Sequence, residues 1–166
     1  ITLIGMPGVG KSTIGSVLAE KLDYDFIDID DLIEERIKVK LHEFINTNGD
    51  KEFRKIEKEI ILSLGKIKNC VISTGGGVVY SEESMDLLTN NSLIIFLNDN
   101  CENIRKRIDN LETRGIVGLN DDGFDSLFEK RIPLYKKYSH ITINLSSERD
   151  INSNVENIVN IINNHS

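Results

Sequence analysis

Cysteine is scarce in this sequence, and long apolar runs are missing from it. Cys70 and Cys101 stand far apart and form no C-x-x-C pair. This spacing argues against a disulfide framework or a zinc site and is typical of reduced thiols. No apolar run approaches the length of a membrane span, and no signal peptide is visible. We therefore expect a soluble, cytoplasmic protein that has no membrane partner.

Positive charge is also in deficit. Lys and Arg number 20 against 27 Asp and Glu, which leaves a formal net charge of −7. Nucleic-acid-binding domains normally carry a basic surface, so this balance excludes nucleic acid as the main partner. A chain of 166 residues is long enough to bury a real core. We expect one domain over residues 1–166.

A glycine-rich stretch near the beginning of the chain is the strongest functional signal. Residues 5–13 read GMPGVGKST and fit the pattern G-x-x-x-x-G-K-[ST], whose backbone N–H groups cradle nucleotide phosphates. Lys11 can supply charge to the β- and γ-phosphates, and the Ser12 hydroxyl can ligate Mg²⁺. An apolar strand at 1–4 precedes the loop and a helix at 14–22 follows it, which places the anion at a helix N-terminus. The predicted nucleotide-binding residues are Gly8, Val9, Gly10, Lys11, Ser12 and Thr13.

Apolar strands alternate with helical patterns along the rest of the chain. Strands are predicted at 1–4, 25–28, 70–73, 93–97 and 141–145. Helices are predicted at about 14–22, 32–38, 41–48, 51–64, 102–108, 120–137 and 151–162, with one more opening at Ser81. The 120–137 helix is expected to break near Pro133. Strands joined by crossover helices imply a parallel sheet covered on both faces, which is an α/β domain.

Two carboxylates follow the second strand, at the sheet edge where such domains bind ligands. Asp28 and Asp30 are two residues apart, so alternation sends both side chains to one side of an extended segment. One can hold a Mg²⁺-bound water, and the other can accept a proton from a substrate hydroxyl. The alternative is a helix cap, which we expect Asp31 to provide.

Arg54 and a glycine triplet are weaker signals in the middle of the chain. Arg54 stands among Glu residues on a predicted helix, where composition favours an exposed face of ion pairs. We expect Glu57 to belong to that face. Gly75-Gly76-Gly77 follows the third strand and costs conformational entropy, which favours a ligand meeting bare backbone. A plain flexible turn is the alternative.

Basic residues return late in the chain. The glycine-containing segment 105–119 includes Arg107 and Arg114, and arginines on such a segment can close over ATP and neutralise charge. An ordinary solvated loop is the alternative. Arg131 stands just before Pro133, where it can grip a substrate carboxylate or lie along the surface.

Together these features resemble the shikimate kinases, a family of the nucleoside-monophosphate-kinase-like P-loop group. The resemblance covers nearly the whole chain, in the family's order and spacing. It rests on GMPGVGKST at 5–13, FIDID at 26–30, EFRKIE at 52–57, TGGG at 74–77 and RIPLY at 131–135. It implies a three-layer α/β/α fold whose five-stranded parallel sheet is ordered 2-3-1-4-5. It also implies a substrate-binding region over about 30–62 and a lid over about 109–121.

The same resemblance implies a reaction. ATP would give its γ-phosphate to the 3-hydroxyl of shikimate, forming shikimate 3-phosphate on the pathway to chorismate, and a monomer would carry this out. Lys11 and the loop amides would hold the ATP phosphates. Ser12 would ligate the Mg²⁺ cofactor, and Asp28 would reach it through water. Asp30 would contact the substrate hydroxyls and act as the general base.

The remaining roles that the resemblance implies concern the acceptor and the lid. Arg54 and Arg131 would grip the shikimate carboxylate, while the backbone of Gly75, Gly76 and Gly77 approaches the ring. Arg114 would meet the transferred phosphate. Arg107 would lie against adenine.

One position departs from the family pattern. The lid usually runs Arg-Pro-Leu, whereas this chain has Arg114-Gly115-Ile116. Losing the proline gives the lid more backbone freedom. This raises the entropic cost of closing the lid by up to about 1 kcal/mol. We expect a looser lid rather than a lost activity. The alternatives for the whole chain are a gluconate kinase-like small-molecule kinase and a non-catalytic nucleotide-binding regulator.

Overall fold

A parallel sheet forms the centre of the computed structural model, which describes residues 1–108, 116–145 and 150–165. The strands of this sheet are β1 (Thr2–Ile4), β2 (Asp25–Asp28), β3 (Cys70–Ser73), β4 (Ile94–Asn98) and β5 (Ile141–Asn144). Their order is β2-β3-β1-β4-β5, and every neighbouring pair is parallel. The predicted fold class and strand order are confirmed.

Helices connect the strands and cover the sheet. They are α1 (Lys11–Leu22), α2 (Ile29–Ile37), α3 (Leu41–Ser63), α4 (Glu82–Asn91), α5 (Cys101–Arg107), α6 (Leu119–Tyr138) and α7 (Ile151–His165). A short 3₁₀ helix, Val78–Tyr80, lies between β3 and α4. None of the described helices combines the length and the apolar character needed to cross a membrane.

Burial along the strands explains why the apolar runs form this sheet. Every residue of β1 and β3 is buried, as is all of β4 except its last residue, whereas β5 at one edge alternates buried and exposed positions. Central strands of a covered parallel sheet are apolar on both faces, and an edge strand needs to be apolar on only one. The core is therefore continuous through the middle of the sheet.

Two helices contain a glycine break. Gly49 (φ 80°, ψ 165°) divides α3 into the two helices predicted at 41–48 and 51–64. Gly123 (φ 76°, ψ 169°) breaks α6, so the predicted break near Pro133 is wrong. Positive φ is accessible to glycine without a Cβ clash. Around Pro133 the helix continues because Arg131 and Tyr135, on either side of it, are both buried and hold the chain against the core.

The topology brings three segments of the chain to one edge of the sheet. β3 lies between β1 and β2, so the segments that follow these three strands emerge side by side at their carboxyl ends. These segments are 5–10, 29–30 and 74–77. Open α/β sheets bind ligands at this edge.

Close packing of α1 on the sheet sets the position of the first loop. A Cβ added at Gly15 would lie 2.8 Å from Cε2 of Phe26 and 3.1 Å from Cδ1 of Leu3. Only a residue without a side chain lets α1 approach β1 and β2 this closely.

Substituting Gly15→Leu should destabilise the fold, because an added side chain would overpack the contact with Phe26 and Leu3. We expect the free energy of unfolding to fall by about 1–3 kcal/mol in urea titrations followed by circular dichroism. Ser16→Leu adds the same side chain at the exposed neighbouring position and should change stability by less than about 0.5 kcal/mol. Equal losses in the two variants would contradict this account of the contact.

Candidate active site

The loop between β1 and α1 is shaped to hold an anion. Gly8 and Gly10 have φ values of 79° and 108°, a region that favours glycine. Helix α1 begins at Lys11, so the N–H groups of its first turn face the loop. The Lys11 ammonium donates to the carbonyl oxygens of Gly5 and Met6 at 2.9 and 3.0 Å. The loop therefore presents N–H groups and a cation to the same space.

A cavity of about 400 Å³ lies beside this loop at the carboxyl edge of the sheet. Most of the predicted site residues line it. They are Gly8, Gly10, Lys11, Ser12, Thr13, Asp30, Gly75, Gly76, Gly77, Arg107 and Arg131. Val9, Asp28 and Arg54 were also predicted, but they are not among its lining residues. Arg114 lies outside the residues that the structure describes.

The predicted metal-binding residues meet around the end of β3. Asp28 pairs in register with Ser73 across the sheet, and the Ser12 hydroxyl lies 3.5 Å from the Ser73 hydroxyl. A hydroxyl and a carboxylate are hard oxygen donors that suit Mg²⁺, which usually takes only one or two protein ligands beside phosphate and water. Among the described residues, no group of three or more His, Cys, Asp or Glu forms a metal cage. Ser12 and Asp28 thus fit a cation that arrives with a nucleotide.

The cap of α2 differs from the prediction. Asp28 occupies the N-cap position, and its Oδ1 accepts a hydrogen bond from the Asp30 backbone N–H at 3.0 Å. Asp31 lies in the first turn and is exposed. The expectation that Asp31 caps the helix is therefore wrong. The helix starts immediately after β2, which gives the capping position to the last strand residue and fixes the backbone of Asp30.

Asp30 has an environment suited to proton transfer. Burial, together with the charge of Asp28 and against the opposing charge of Lys11, raises its pKa to about 6. A carboxylate is a more effective general base when its pKa lies near the working pH. The contribution of Lys11 also shows that the carboxylate is close to the phosphate loop.

Glu57 is a cavity residue that the sequence pattern placed wrongly on an exposed helix face. It is 2% exposed and lines the cavity, rather than belonging to a solvated face. Burial raises its pKa to about 8, reinforced by the charge of Asp30 and opposed by Arg131, Arg54 and Lys11. The helical spacing of Phe53, Glu57, Ile60 and Ile61 was the signal, because it puts this one carboxyl on the apolar stripe of α3.

Arg131 is a buried cation that lines the cavity. It is 1% exposed, and its Nη2 donates to the Val117 carbonyl at 2.7 Å. The N–H of Gly118, in the same peptide group, donates to Asp50 Oδ2 at 2.6 Å. The peptide 117–118 is therefore held from both sides. The Nε and Nη1 atoms of Arg131 are buried and have no hydrogen-bond partner among the described residues, which leaves two donors for an anion.

The glycine triplet gives these polar groups room. A Cβ on Gly75 would collide with Oε1 of Glu57, and one on Gly76 would lie 2.6 Å from Pro7 Cδ and 3.0 Å from Arg131 Nη1. The Gly76 carbonyl accepts a 2.6 Å hydrogen bond from the Tyr135 hydroxyl, which fixes the segment. The triplet is a site of close approach by Glu57, Pro7 and Arg131, and its contact with a ligand stays a prediction.

Two further arginines lie near the cavity. The Arg107 guanidinium forms an ion pair with the buried Asp99, Nη2 to Oδ2 2.7 Å, and lines the cavity. The Arg54 guanidinium lies over the ring of Tyr80, with Cζ 4.7 Å from the ring centroid. Neither Asp99 nor Tyr80 was predicted; the contact of Tyr80 with Arg54 joins different elements, and Asp99 is a buried residue just before α5.

Glu57 should make stability depend on pH. A carboxyl whose pKa is raised by folding keeps a proton that the unfolded chain has released. The free energy of unfolding therefore falls as the pH rises from about 4.5 to about 8. Glu57→Gln removes this titration, so we expect a smaller fall over that interval in urea titrations at several pH values.

Glu52→Gln is the matched control, since Glu52 is exposed on the same helix. It should keep the wild-type pH dependence. Asp30 titrates in all three proteins and its charge acts on Glu57, so the difference between Glu57→Gln and wild type reports the titration of Glu57 together with its coupling to Asp30. The same slope in Glu57→Gln and in wild type would contradict the buried, protonated state of Glu57.

Similarity to known proteins agrees with this geometry. Residues 7–163 match the family model "Shikimate kinase". A shikimate kinase from Caldicellulosiruptor saccharolyticus is 41% identical over 138 residues, covering 82% of this chain and 80% of the relative. A shikimate kinase from Clostridium botulinum is 39% identical over 160 residues, covering 96% of each chain.

A solved structure has the same fold over nearly all of this chain. The shikimate kinase from Acinetobacter baumannii in complex with shikimate superposes with a TM-score of 0.90 at 26% identity, covering 99% of this chain and 93% of that one. The five motif segments, the strand order and these similarities point to the same group of proteins. The chain belongs to the shikimate kinase family.

Proposed function

We propose that this chain transfers the γ-phosphate of ATP to the 3-hydroxyl of shikimate, with its cavity residues acting as follows. The supporting observation is that an anion-binding loop and a buried arginine with unpartnered donors line one cavity. The loop suits the phosphates, and the arginine suits the carboxylate of the acceptor. The hydroxyl to be phosphorylated then lies between them, near Asp30.

At the ATP end, the loop amides and Lys11 bind the phosphates. The partial positive charge of the amide N–H groups and the full charge of Lys11 offset the negative charge that develops on the transferring phosphoryl group. Mg²⁺ bound with ATP would be held by Ser12 and, through water, by Asp28, and it would offset the same charge. Arg107, held by Asp99, lies along the adenine. Arg114, which lies outside the described residues, is proposed to meet the transferred phosphate.

At the acceptor end, Arg131 donates through Nε and Nη1 to the substrate carboxylate. Arg54 supports the same carboxylate from α3. The bare backbone of Gly75, Gly76 and Gly77 lets the ring approach. Asp30 accepts the proton of the 3-hydroxyl while the hydroxyl oxygen attacks the γ-phosphorus of ATP and ADP leaves. Positioning of the two substrates accounts for most of the catalysis in this kind of transfer.

The unit that acts is proposed to be a monomer in the cytoplasm, where ATP is available. The support for this is that most of the described residues with a proposed role line one cavity formed by a single chain.

ADP release tests the function. The purified chain is incubated with ATP and Mg²⁺ and with shikimate, gluconate or no acceptor, and each reaction is repeated with excess EDTA. We expect release that requires shikimate and that EDTA abolishes. Release that occurs with gluconate but not with shikimate would overturn the proposal that shikimate is the acceptor. ATP binding without release in any reaction would instead favour a nucleotide-binding regulator.

Asp30→Asn should lower kcat for shikimate by about 10²–10⁴-fold, because an amide cannot accept the hydroxyl proton. The KM for ATP should stay near the wild-type value, since Asp30 lies at the acceptor end. Asp31→Asn is the matched control on the next, exposed residue and should keep wild-type kcat. A kcat for Asp30→Asn within a few-fold of wild type would remove Asp30 from the role of base.

A further inference from the structure

We propose that Tyr80 is a positioning residue that orients Arg54 and Arg131 and thereby favours an acceptor bearing a carboxylate. The inference rests on the proposed function, since it concerns the same acceptor end. Tyr80 is absent from the five motif segments and does not line the cavity. It acts through the arginines rather than on the substrate.

The backbone around Tyr80 fixes where its ring stands. Val78 and Val79 are 0% and 3% exposed and anchor the 3₁₀ helix in the core. The Tyr80 N–H donates to the Gly77 carbonyl at 3.0 Å, and Ser81 caps the next helix. The backbone that carries the ring is thus tied directly to the glycine triplet. Tyr80 itself is 37% exposed, so core packing does not explain an aromatic residue there.

Two guanidinium groups from different helices share this ring. Cζ of Arg54, from α3, lies 4.7 Å from the ring centroid, and Cζ of Arg131, from α6, lies 5.3 Å from it. The face of an aromatic ring carries partial negative charge and attracts cations within about 6 Å. The ring therefore draws two like charges towards one place and offsets part of their mutual repulsion.

This contact leaves the hydrogen-bond donors free for a substrate. A guanidinium can interact with a ring without using its N–H donors. The Nε of Arg54 and the Nε and Nη1 of Arg131 are buried without a hydrogen-bond partner among the described residues. Unpaired buried donors are costly unless a ligand satisfies them. A carboxylate has the charge and the two oxygens to do so.

The carboxyl group of Glu57 does not replace the ring as a partner for the arginines. Its raised pKa keeps Glu57 largely protonated at neutral pH, so it neutralises the two cations only in part. Its Oε1 is also buried without a hydrogen-bond partner. The Tyr80 ring is then the group that holds Arg54 beside Arg131 when no acceptor is bound.

Steady-state kinetics of Tyr80→Leu and Tyr80→Phe test the proposal. The leucine variant loses the π face, so we expect the KM for shikimate to rise about 5–20-fold, with kcat and the KM for ATP near wild type. The phenylalanine variant keeps the ring and should retain a KM within about two-fold of wild type. Tyr24→Leu is the matched control: Tyr24 is 36% exposed and lies next to the opposite end of β2.

Two additional measurements separate positioning from a general structural effect. An acceptor whose carboxylate is replaced by an amide should show no extra KM penalty in Tyr80→Leu, because the arginines have lost their anion. In a double-mutant cycle, Tyr80→Leu should add little to the KM increase of Arg54→Ala. Thermal unfolding monitored by circular dichroism tests whether each variant is folded. If Tyr80→Leu does not fold, Tyr80→Met is used in its place.

The outcomes that overturn the proposal are distinct. Equal KM values for Tyr80→Leu and wild type, equal losses in the leucine and phenylalanine variants, or a parallel rise in the KM for ATP would each refute it. A fall in the KM for shikimate would show that the ring holds Arg54 away from the substrate. A wild-type chain that transfers no phosphate to shikimate refutes the proposed function itself. Calorimetric titration of shikimate into wild type and Tyr80→Leu then decides the role of the ring separately.

Discussion

The acceptor end of the cavity depends on a buried cation held in place before any ligand arrives. Arg131 is almost fully enclosed, and its only described hydrogen bond runs to the carbonyl of Val117. A charge in such a place destabilises a fold unless its neighbours compensate. The Tyr80 ring and the nearby carboxyl group of Glu57 supply part of that compensation. The Nε and Nη1 donors of Arg131 have no hydrogen-bond partner among the described residues.

The fold provides this arrangement through glycine and through fixed backbone. The triplet after β3 has no side chains where Glu57 and Arg131 approach, and the Tyr135 hydroxyl fixes the Gly76 carbonyl. A single peptide group, 117–118, accepts from Arg131 and donates to Asp50. The acceptor end is thus built from α3, α6 and the β3 loop together. Each part would lose its position without the other two.

Groups of opposite charge line the cavity at this edge of the sheet. The phosphate loop concentrates N–H groups and Lys11, whereas Asp30 and Glu57 bring carboxyl groups into a buried space. Burial raises the pKa of both acids, to about 6 for Asp30 and about 8 for Glu57. The difference suits different tasks, since the first can ionise and take a proton near neutral pH while the second stays largely protonated.

Local patterns in the sequence determined the elements and the phosphate loop. The buried strands are continuous apolar runs, and the G-x-x-x-x-G-K-[ST] pattern determines the turn of the phosphate loop. The break of α3 at Gly49 is also local, because it depends on the backbone of glycine rather than on packing. The break of α6 could not be placed this way. Pro133 is the stronger local breaker, but the packing of Arg131 and Tyr135 on either side outweighs it.

Only the tertiary structure decided the surroundings of the charged side chains. Glu57 reads as one more charge on a charged helix until α3 docks and buries it. The contacts of Arg54 and Arg131 with Tyr80 join residues far apart in the chain, whereas Arg107 and Asp99 pair from the two ends of the short helix α5. The sequence by itself therefore determined the fold and the identity of the phosphate site. The electrostatics of the acceptor site depend on burial and distance, which exist only once the elements have packed.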